Sequence, residues 1–180
     1  MRLRASSTGP DETEALAAAL AGCLDDHVVI GLIGGLGAGK TCFVRGLAAG
    51  LGIDPDDVAS PTFVYLVDYS AGDGRTLYHA DLYRLAELPP EHAGQVFEGI
   101  GLTAAVEGGG PDAARAVTAV EWWEYYRGPS PEDLVTVEFS MEKADHRSIL
   151  LEFAGSRLLR AAHELAGHAN VSLTTVTASS

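Results

Sequence analysis

Lysine is nearly missing from this chain. Its 180 residues hold two, Lys40 and Lys143, and Lys plus Arg total 12 against 25 Asp plus Glu, for a net charge of −13. That balance excludes a broad surface for gripping nucleic-acid phosphates, so any role on RNA has to run through a partner. Cysteine is as scarce: Cys23 and Cys42 are too few to staple a chain of this length, and both read as free thiols in a reducing compartment. Asparagine occurs once, at Asn170, so the N-K-x-D loop common in guanine-specific proteins is absent and GTP is disfavoured. Long apolar runs are absent too. The longest, Val28 to Gly39, is broken by glycine and ends at Lys40, well short of the ~18 residues that read as a membrane span. Met1–Pro10 carries Arg2 and Arg4 with no apolar stretch behind them, which does not suit a secretory signal. A cytoplasmic protein without membrane association is expected.

What is present is the composition of an ordinary globular domain, 47% hydrophobic and 21% charged. Asp11 and Glu14 make a D-x-x-E pattern before Leu16, Ala19, Leu20 and Cys23, which predicts a helix over 11–25. VVIGLI at 28–33 is apolar on both faces and reads as a central strand of a covered sheet. A glycine loop follows, then a helix with Phe43, Val44, Leu47, Ala48 and Leu51 on one face, stopped by Gly52. Runs at 63–69 and 75–80, joined by Ala71, Gly72, Asp73 and Gly74, read as an antiparallel hairpin. Residues 86–115 give little signal beyond a helix near 91–98 and a mobile loop from Gly108 to Pro111. AVTAV at 116–120 is a second buried strand; 134–139 and 148–153 form a second hairpin, and a helix covers about 156–166. The tail from Asn170 should fray. The economical reading is one α/β domain over residues 1–180, a P-loop NTPase-like central mixed sheet flanked by helices, with antiparallel hairpins.

The chemistry concentrates in one loop. Gly34, Gly39, Lys40 and Thr41 satisfy G-x-x-x-x-G-K-[ST] between a strand and a helix, where the motif needs to be. The backbone from Gly35 through Leu36, Gly37, Ala38 and Gly39 to Lys40, Thr41 and Cys42 would cradle phosphates at a helix N-terminus. Lys40 would bridge the β- and γ-phosphate oxygens, and the Thr41 hydroxyl would ligate Mg²⁺. A turn that binds nothing is the bland alternative, disfavoured by the flanking strand and helix. Hydrolysis also needs a carboxylate at a neighbouring strand end, to hold the metal or its water or to position the attacking water. Asp81 and Glu121 both follow strands, and the choice between them stays open. His79 shares the strand face of Asp81 but has no third metal partner, and reads as a structural histidine. The arginines are scattered and form no lid of the kind a small-molecule kinase uses.

GGLGAGKTCFVRGLAAGLGI, SPTF at 60–63, YHADLYRL at 78–85 and VEWW at 120–123 together resemble the bacterial TsaE (YjeE) family, in its order and spacing, over nearly all of residues 11–155. The resemblance implies an ATPase that binds ATP/ADP and Mg²⁺ and works with TsaB and TsaD in making threonylcarbamoyladenosine on tRNA, at the adenosine next to the anticodon. The tRNA would be met only through those partners. It further implies that Thr41 and Glu121 bind Mg²⁺ and that Asp81 is needed for activity. Ser60, Pro61, Thr62 and Phe63 become a switch segment, with Thr62 beside the γ-phosphate. Thr13 and Arg147 match positions near the nucleotide, and Trp122 matches the family tryptophan. Three residues depart from the pattern: Gly35 replaces an aspartate, Cys42 a second threonine, and Trp123 stands where proline is common. Cys42, at a helix N-terminus, is expected to have a lowered pKa and to be open to alkylation. A small-molecule kinase and a nucleotide-binding module without turnover are the other classes kept in view.

Overall fold

In VVIGLI, Val28, Ile30 and Leu32 join one apolar cluster while Val29 joins another, as alternation of side chains across a strand demands. This strand therefore lies at the centre of a sheet covered on both faces. The structure is a computed structural model and describes residues 1–24, 27–86, 88–108, 115–143, 146–168 and 173–176. Its strands are β1 (Arg2–Ser7), β2 (Val28–Ile33), β3 (Leu66–Ser70), β4 (Thr76–Asp81), β5 (Ala116–Glu121), β6 (Leu134–Lys143), β7 (His146–Ala154) and β8 (Leu173–Thr175). Its helices are α1 (Pro10–Gly22), α2 (Lys40–Gly50), α3 (Pro90–Gly99), α4 (Leu102–Glu107) and α5 (Leu158–Ala166). One mixed sheet runs in the order β3-β4-β5-β2-β6-β7-β1-β8. The parallel centre is β4-β5-β2-β6, and β3, β7, β1 and β8 are antiparallel to their neighbours.

One face is covered by α1, α2 and α5, whose Leu16, Leu20, Phe43, Leu47, Leu158 and Leu165 are buried in the larger cluster. The other is covered by α3 and α4 through Phe97, Leu102 and Val106. In register, Asp81 of β4 stands opposite Glu121 of β5, and Glu121 opposite Leu32 of β2. The carboxyl ends of the three strands meet at one edge, where open α/β sheets bind ligands.

Several expectations are corrected. The D-x-x-E cap does not form: the helix starts earlier, with Gly9 at its N-cap and Pro10 in its first turn, while the Glu12 carboxylate accepts from the Thr8 N–H at 2.6 Å. The run expected from 63 begins at Leu66, because the Val64 and Tyr65 N–H groups both donate to the Pro61 carbonyl and Tyr65 takes φ 67°, which closes a turn instead of a strand. The sheet gains β1 and β8 at its far side, β1 pairing with β7 through Leu3 and Leu151 and with β8 through Ala5 and Leu173. Part of the tail expected to fray is thus strand; residues 170–172 and 177–180 of it lie outside the described residues, as do 109–111 of the loop expected to be mobile. Among the described residues no helix is long and apolar enough to cross a membrane.

Candidate functional site

Beyond β2 the chain must reverse into α2 within a few residues, and Gly37 and Gly39 do this with φ 73° and 112°, a backbone region that residues with a side chain rarely adopt. Gly39 caps α2, and the Phe43 N–H returns to its carbonyl at 2.9 Å. The first turn of α2 therefore presents its unpaired N–H groups to an open cleft of about 390 Å³. Leu36, Ala38, Lys40, Thr41 and Cys42 line one side; Ser60, Thr62, Asp81, Tyr83, Glu121 and Trp122 line the other. A helix N-terminus and a lone lysine at one cleft suit phosphate groups.

Lys40 is 4% exposed. Its Nζ donates to the Gly34 carbonyl at 2.6 Å and the Gly35 carbonyl at 2.9 Å, and lies 3.6 Å from the centre of the Trp122 ring, a cation–π contact. Loss of water lowers its pKa from the ordinary lysine value, with Glu121, Glu124 and Asp81 opposing. Trp122 reaches this place from a left-handed backbone, φ 60°, and is flanked by Tyr83 and Tyr125 at ring separations of 5.0 and 6.1 Å.

The two carboxylates at the strand ends have separate partners. Glu121 accepts from Thr41 Oγ1 at 2.8 Å and shares the same oxygen, Oε1, with His79 Nε2 at 2.9 Å. Asp81 is claimed by the segment 60–62: its Oδ2 accepts from Ser60 Oγ at 2.8 Å and Thr62 Oγ1 at 2.5 Å, and its Oδ1 from the Tyr83 N–H at 2.9 Å. Both carboxylates are buried. Pro61 closes the turn described above, and Phe63, 82% exposed, stands out from it with the Arg84 guanidinium 5.5 Å from its ring. Thr41 and Glu121 are hard oxygen donors in contact, and among the described residues no cluster of three His, Cys, Asp or Glu side chains forms a protein-built metal cage. Such a pair suits a small hard cation that shares its coordination with phosphates and water.

The remaining positions divide. Arg147 donates from Nε to the Ala38 carbonyl at 3.0 Å and lies along Gly39, so it holds the loop. Thr13 is buried under β1, its hydroxyl 2.8 Å from that of Ser7 and bonded to the Gly9 carbonyl, and does not line the cleft. Cys42 lines the cleft, but the lowered pKa expected of its thiol is corrected. Its thiol donates to the Pro10 carbonyl and to Glu14 at 3.4 and 3.6 Å, and its pKa is pushed up to about 11, first by burial and then by the Glu14 carboxylate. Tyr83 of the cleft and the bond from His79 to Glu121 were not foreseen; the first had a signal in the DLYRL run, the second none.

Known proteins are similar to this chain over the stretch that holds these groups. A family model described as "Threonylcarbamoyl adenosine biosynthesis protein TsaE" matches residues 7–149. The tRNA threonylcarbamoyladenosine biosynthesis protein TsaE of Treponema pallidum (strain Nichols) is 38% identical over 148 residues, 82% of this chain and 98% of the relative. The protein of that name from Bacillus subtilis (strain 168) is 33% identical over 171 residues, 95% and 98% of the two chains. A solved structure described as "Crystal structure of Bacillus subtilus YdiB" superimposes with a TM-score of 0.70 at 28% identity, covering 92% of this chain and 95% of that one. The matched span holds the phosphate loop, Asp81, Glu121 and Arg147 together, and the likeness to relatives runs along most of their length: the chain belongs to the TsaE family and has its P-loop fold.

Proposed function

We propose that this chain is a single-domain, Mg²⁺-dependent ATPase that serves threonylcarbamoyladenosine formation on tRNA, the process for which its relatives are named. In this reading it acts as a nucleotide-driven switch on TsaB and TsaD homologues, which hold the tRNA. The observation that carries the reading is the cleft at the start of α2. It joins a phosphate loop, the buried cation of Lys40, the Thr41–Glu121 oxygen pair and the segment 60–62 bound to Asp81.

Water attacks the γ-phosphorus, the bond to the β,γ-bridging oxygen breaks, and ADP and phosphate leave. Backbone N–H groups of the loop bind the phosphates, and Lys40 exchanges its two carbonyl partners for phosphate oxygens. Thr41 and Glu121 would hold Mg²⁺, which when bound would neutralise charge on the phosphates. Asp81 orders the segment 60–62 beside the γ-phosphate. A hydroxyl of Ser60 or Thr62 that leaves Asp81 for phosphate changes the surface around Phe63, and differential contact of this kind is what a switch needs. The acidic surface agrees with action beside tRNA through partners.

The test is phosphate release by the chain alone and with TsaB and TsaD homologues, with Lys40→Ala as the blank. Release that rises with partners and vanishes in the variant is expected. Unchanged ATP affinity in Lys40→Ala would overturn the phosphate-loop assignment. Phosphate recovered on an acceptor molecule would make the chain a kinase, and tight ATP binding without release under either condition would make it a binding module.

A further inference from the structure

The bond between His79 and Glu121 has no place in the reading so far. His79 is fully buried, on the strand before Asp81, and fills the sheet face under α2. A histidine kept only as core filling needs no contact with a cleft carboxylate. This one gives its Nε2 to Glu121 Oε1 at 2.9 Å, while its Nδ1, buried, has no hydrogen-bond partner among the described residues. The sheet explains why they meet. In the parallel β4/β5 pair His79 stands opposite Ala119 and Asp81 opposite Glu121, so His79 and Glu121 are diagonal neighbours on one face, within reach of long side chains.

The proton balance follows from the partners. A neutral imidazole carries one N–H. A proton on Nδ1 would leave a buried donor unpaired and would aim the Nε2 lone pair at a carboxylate oxygen. With the proton on Nε2, His79 donates to Oε1 and leaves the lesser cost of an unpaired acceptor. Thr41 donates to the same oxygen at 2.8 Å, so its own lone pairs stay available. Two donors on one oxygen stop the carboxylate from turning, and no described hydrogen bond reaches Oε2.

We infer that His79 is a positioning residue. From the sheet face that α2 covers it clamps one oxygen of Glu121 and so presents the carboxylate, with the Thr41 hydroxyl, to a divalent cation. This rests on the proposed role of Thr41 and Glu121. Groups that orient the carboxylates and imidazoles of a metal site typically change metal affinity 10–100-fold when removed.

Nucleotide affinity measured calorimetrically with Mn²⁺ and with EDTA separates metal coupling from phosphate binding, without turnover. H79L removes the donor; H79Q keeps an N–H near the place of Nε2. H79L is expected to bind nucleotide in EDTA within about twofold of wild type but to lose about tenfold of the gain from Mn²⁺, and H79Q to restore that gain. Full gain in H79L, or equal loss in H79L and H79Q, overturns the inference. Full gain in Glu121→Gln, or wild-type binding by Lys40→Ala, instead overturns the functional reading beneath it, whatever His79 does. Nitrogen-15 NMR of the wild-type imidazole needs no variant. A protonated Nε2 and bare Nδ1, with the Nε2–H signal moving on titration with Mg²⁺-nucleotide, are expected; a protonated Nδ1 overturns the clamp.

Discussion

At the residue scale, Cys42 shows how far local chemistry can be read without the fold. A thiol at a helix N-terminus has its anion favoured by the helix field, which argues for a lowered pKa. The folded chain reverses this, because α1 packs against the start of α2 and brings the Pro10 carbonyl and the Glu14 carboxylate to the half-buried sulfur. Burial and a like charge outweigh the helix terminus, and neither is visible in residues 39–45. With a pKa of about 11, the thiolate fraction at pH 8 is on the order of a hundredfold below that of an unperturbed thiol. Cys42 is therefore expected to resist iodoacetamide at pH 8 in the native chain and to react at the rate of a free thiol in urea. Between pH 8 and 10 the native rate should climb about tenfold per unit. The sign for stability runs the same way: the unfolded thiol ionises first, so this group's contribution, full at neutral pH, is lost as pH rises through about 11. Fast native alkylation localised to Cys42 by peptide mass would show that the thiol is not held as described. The carboxylates were more legible, since each sits where an apolar strand run stops. What could not be read is which partner claims which: Ser60 and Thr62 reach Asp81 only through a turn that Tyr65 closes with a left-handed backbone.

At the element scale, the phosphate loop owes its position to α2, and α2 is seated by its contact with α1. The two helices approach so closely that a Cβ on Gly46 would lie 2.3 Å from the Glu14 carbonyl oxygen and 2.7 Å from the Ala17 Cβ. Alanine is favoured over glycine within a helix by about 1 kcal/mol, but here it meets backbone, which cannot turn aside. Gly46→Ala is expected to destabilise the chain by about 1–3 kcal/mol net, measured by urea denaturation, and to weaken nucleotide binding as α2 shifts. A neutral or stabilising effect would show that the helices part easily. The contact also explains what was legible among the elements. β2, α2 and β5 carry long apolar patterns with glycine or charge at their ends, and they appear close to their expected bounds; both hairpins appear where expected, but β3 begins only at Leu66, and β6 and β7 run on to Lys143 and back to His146. β1 was missed because Leu3, Ala5 and Ser7 face inward between exposed residues, and alanine and serine carry little hydrophobic signal. β8 is three residues and α4 six, below the length at which periodicity distinguishes strand from helix. These pieces take their conformation from their neighbours: β1 from β7, β8 from β1, and α4 from the core over β5.

At the scale of the whole molecule, one sheet carries the site and the segments remote from it. β2 joins the phosphate loop to β6, and through β6 and β7 to β1 at the far side, so the chain is expected to unfold as one unit, with nucleotide binding felt throughout. A ligand at about a hundred times its Kd that binds only the folded state adds about 2.7 kcal/mol. For a domain of this size each kcal/mol moves Tm by about 2–4 °C, so saturating Mg-ATP should raise a single transition by about 5–11 °C. Lys40→Ala is the informative control. The lysine gives up water for two carbonyls and an indole, with no carboxylate in hydrogen-bond contact among the described residues, so it serves the ligand more than the fold. Without nucleotide the variant is expected to melt within a few degrees of wild type, and with nucleotide not to shift. Two separate transitions, of which nucleotide moves only one, would instead divide the chain into a loop-bearing half and a remote half. A variant that melts far below wild type without ligand would make Lys40 a structural residue, and its loss of binding could no longer be assigned to phosphate contact.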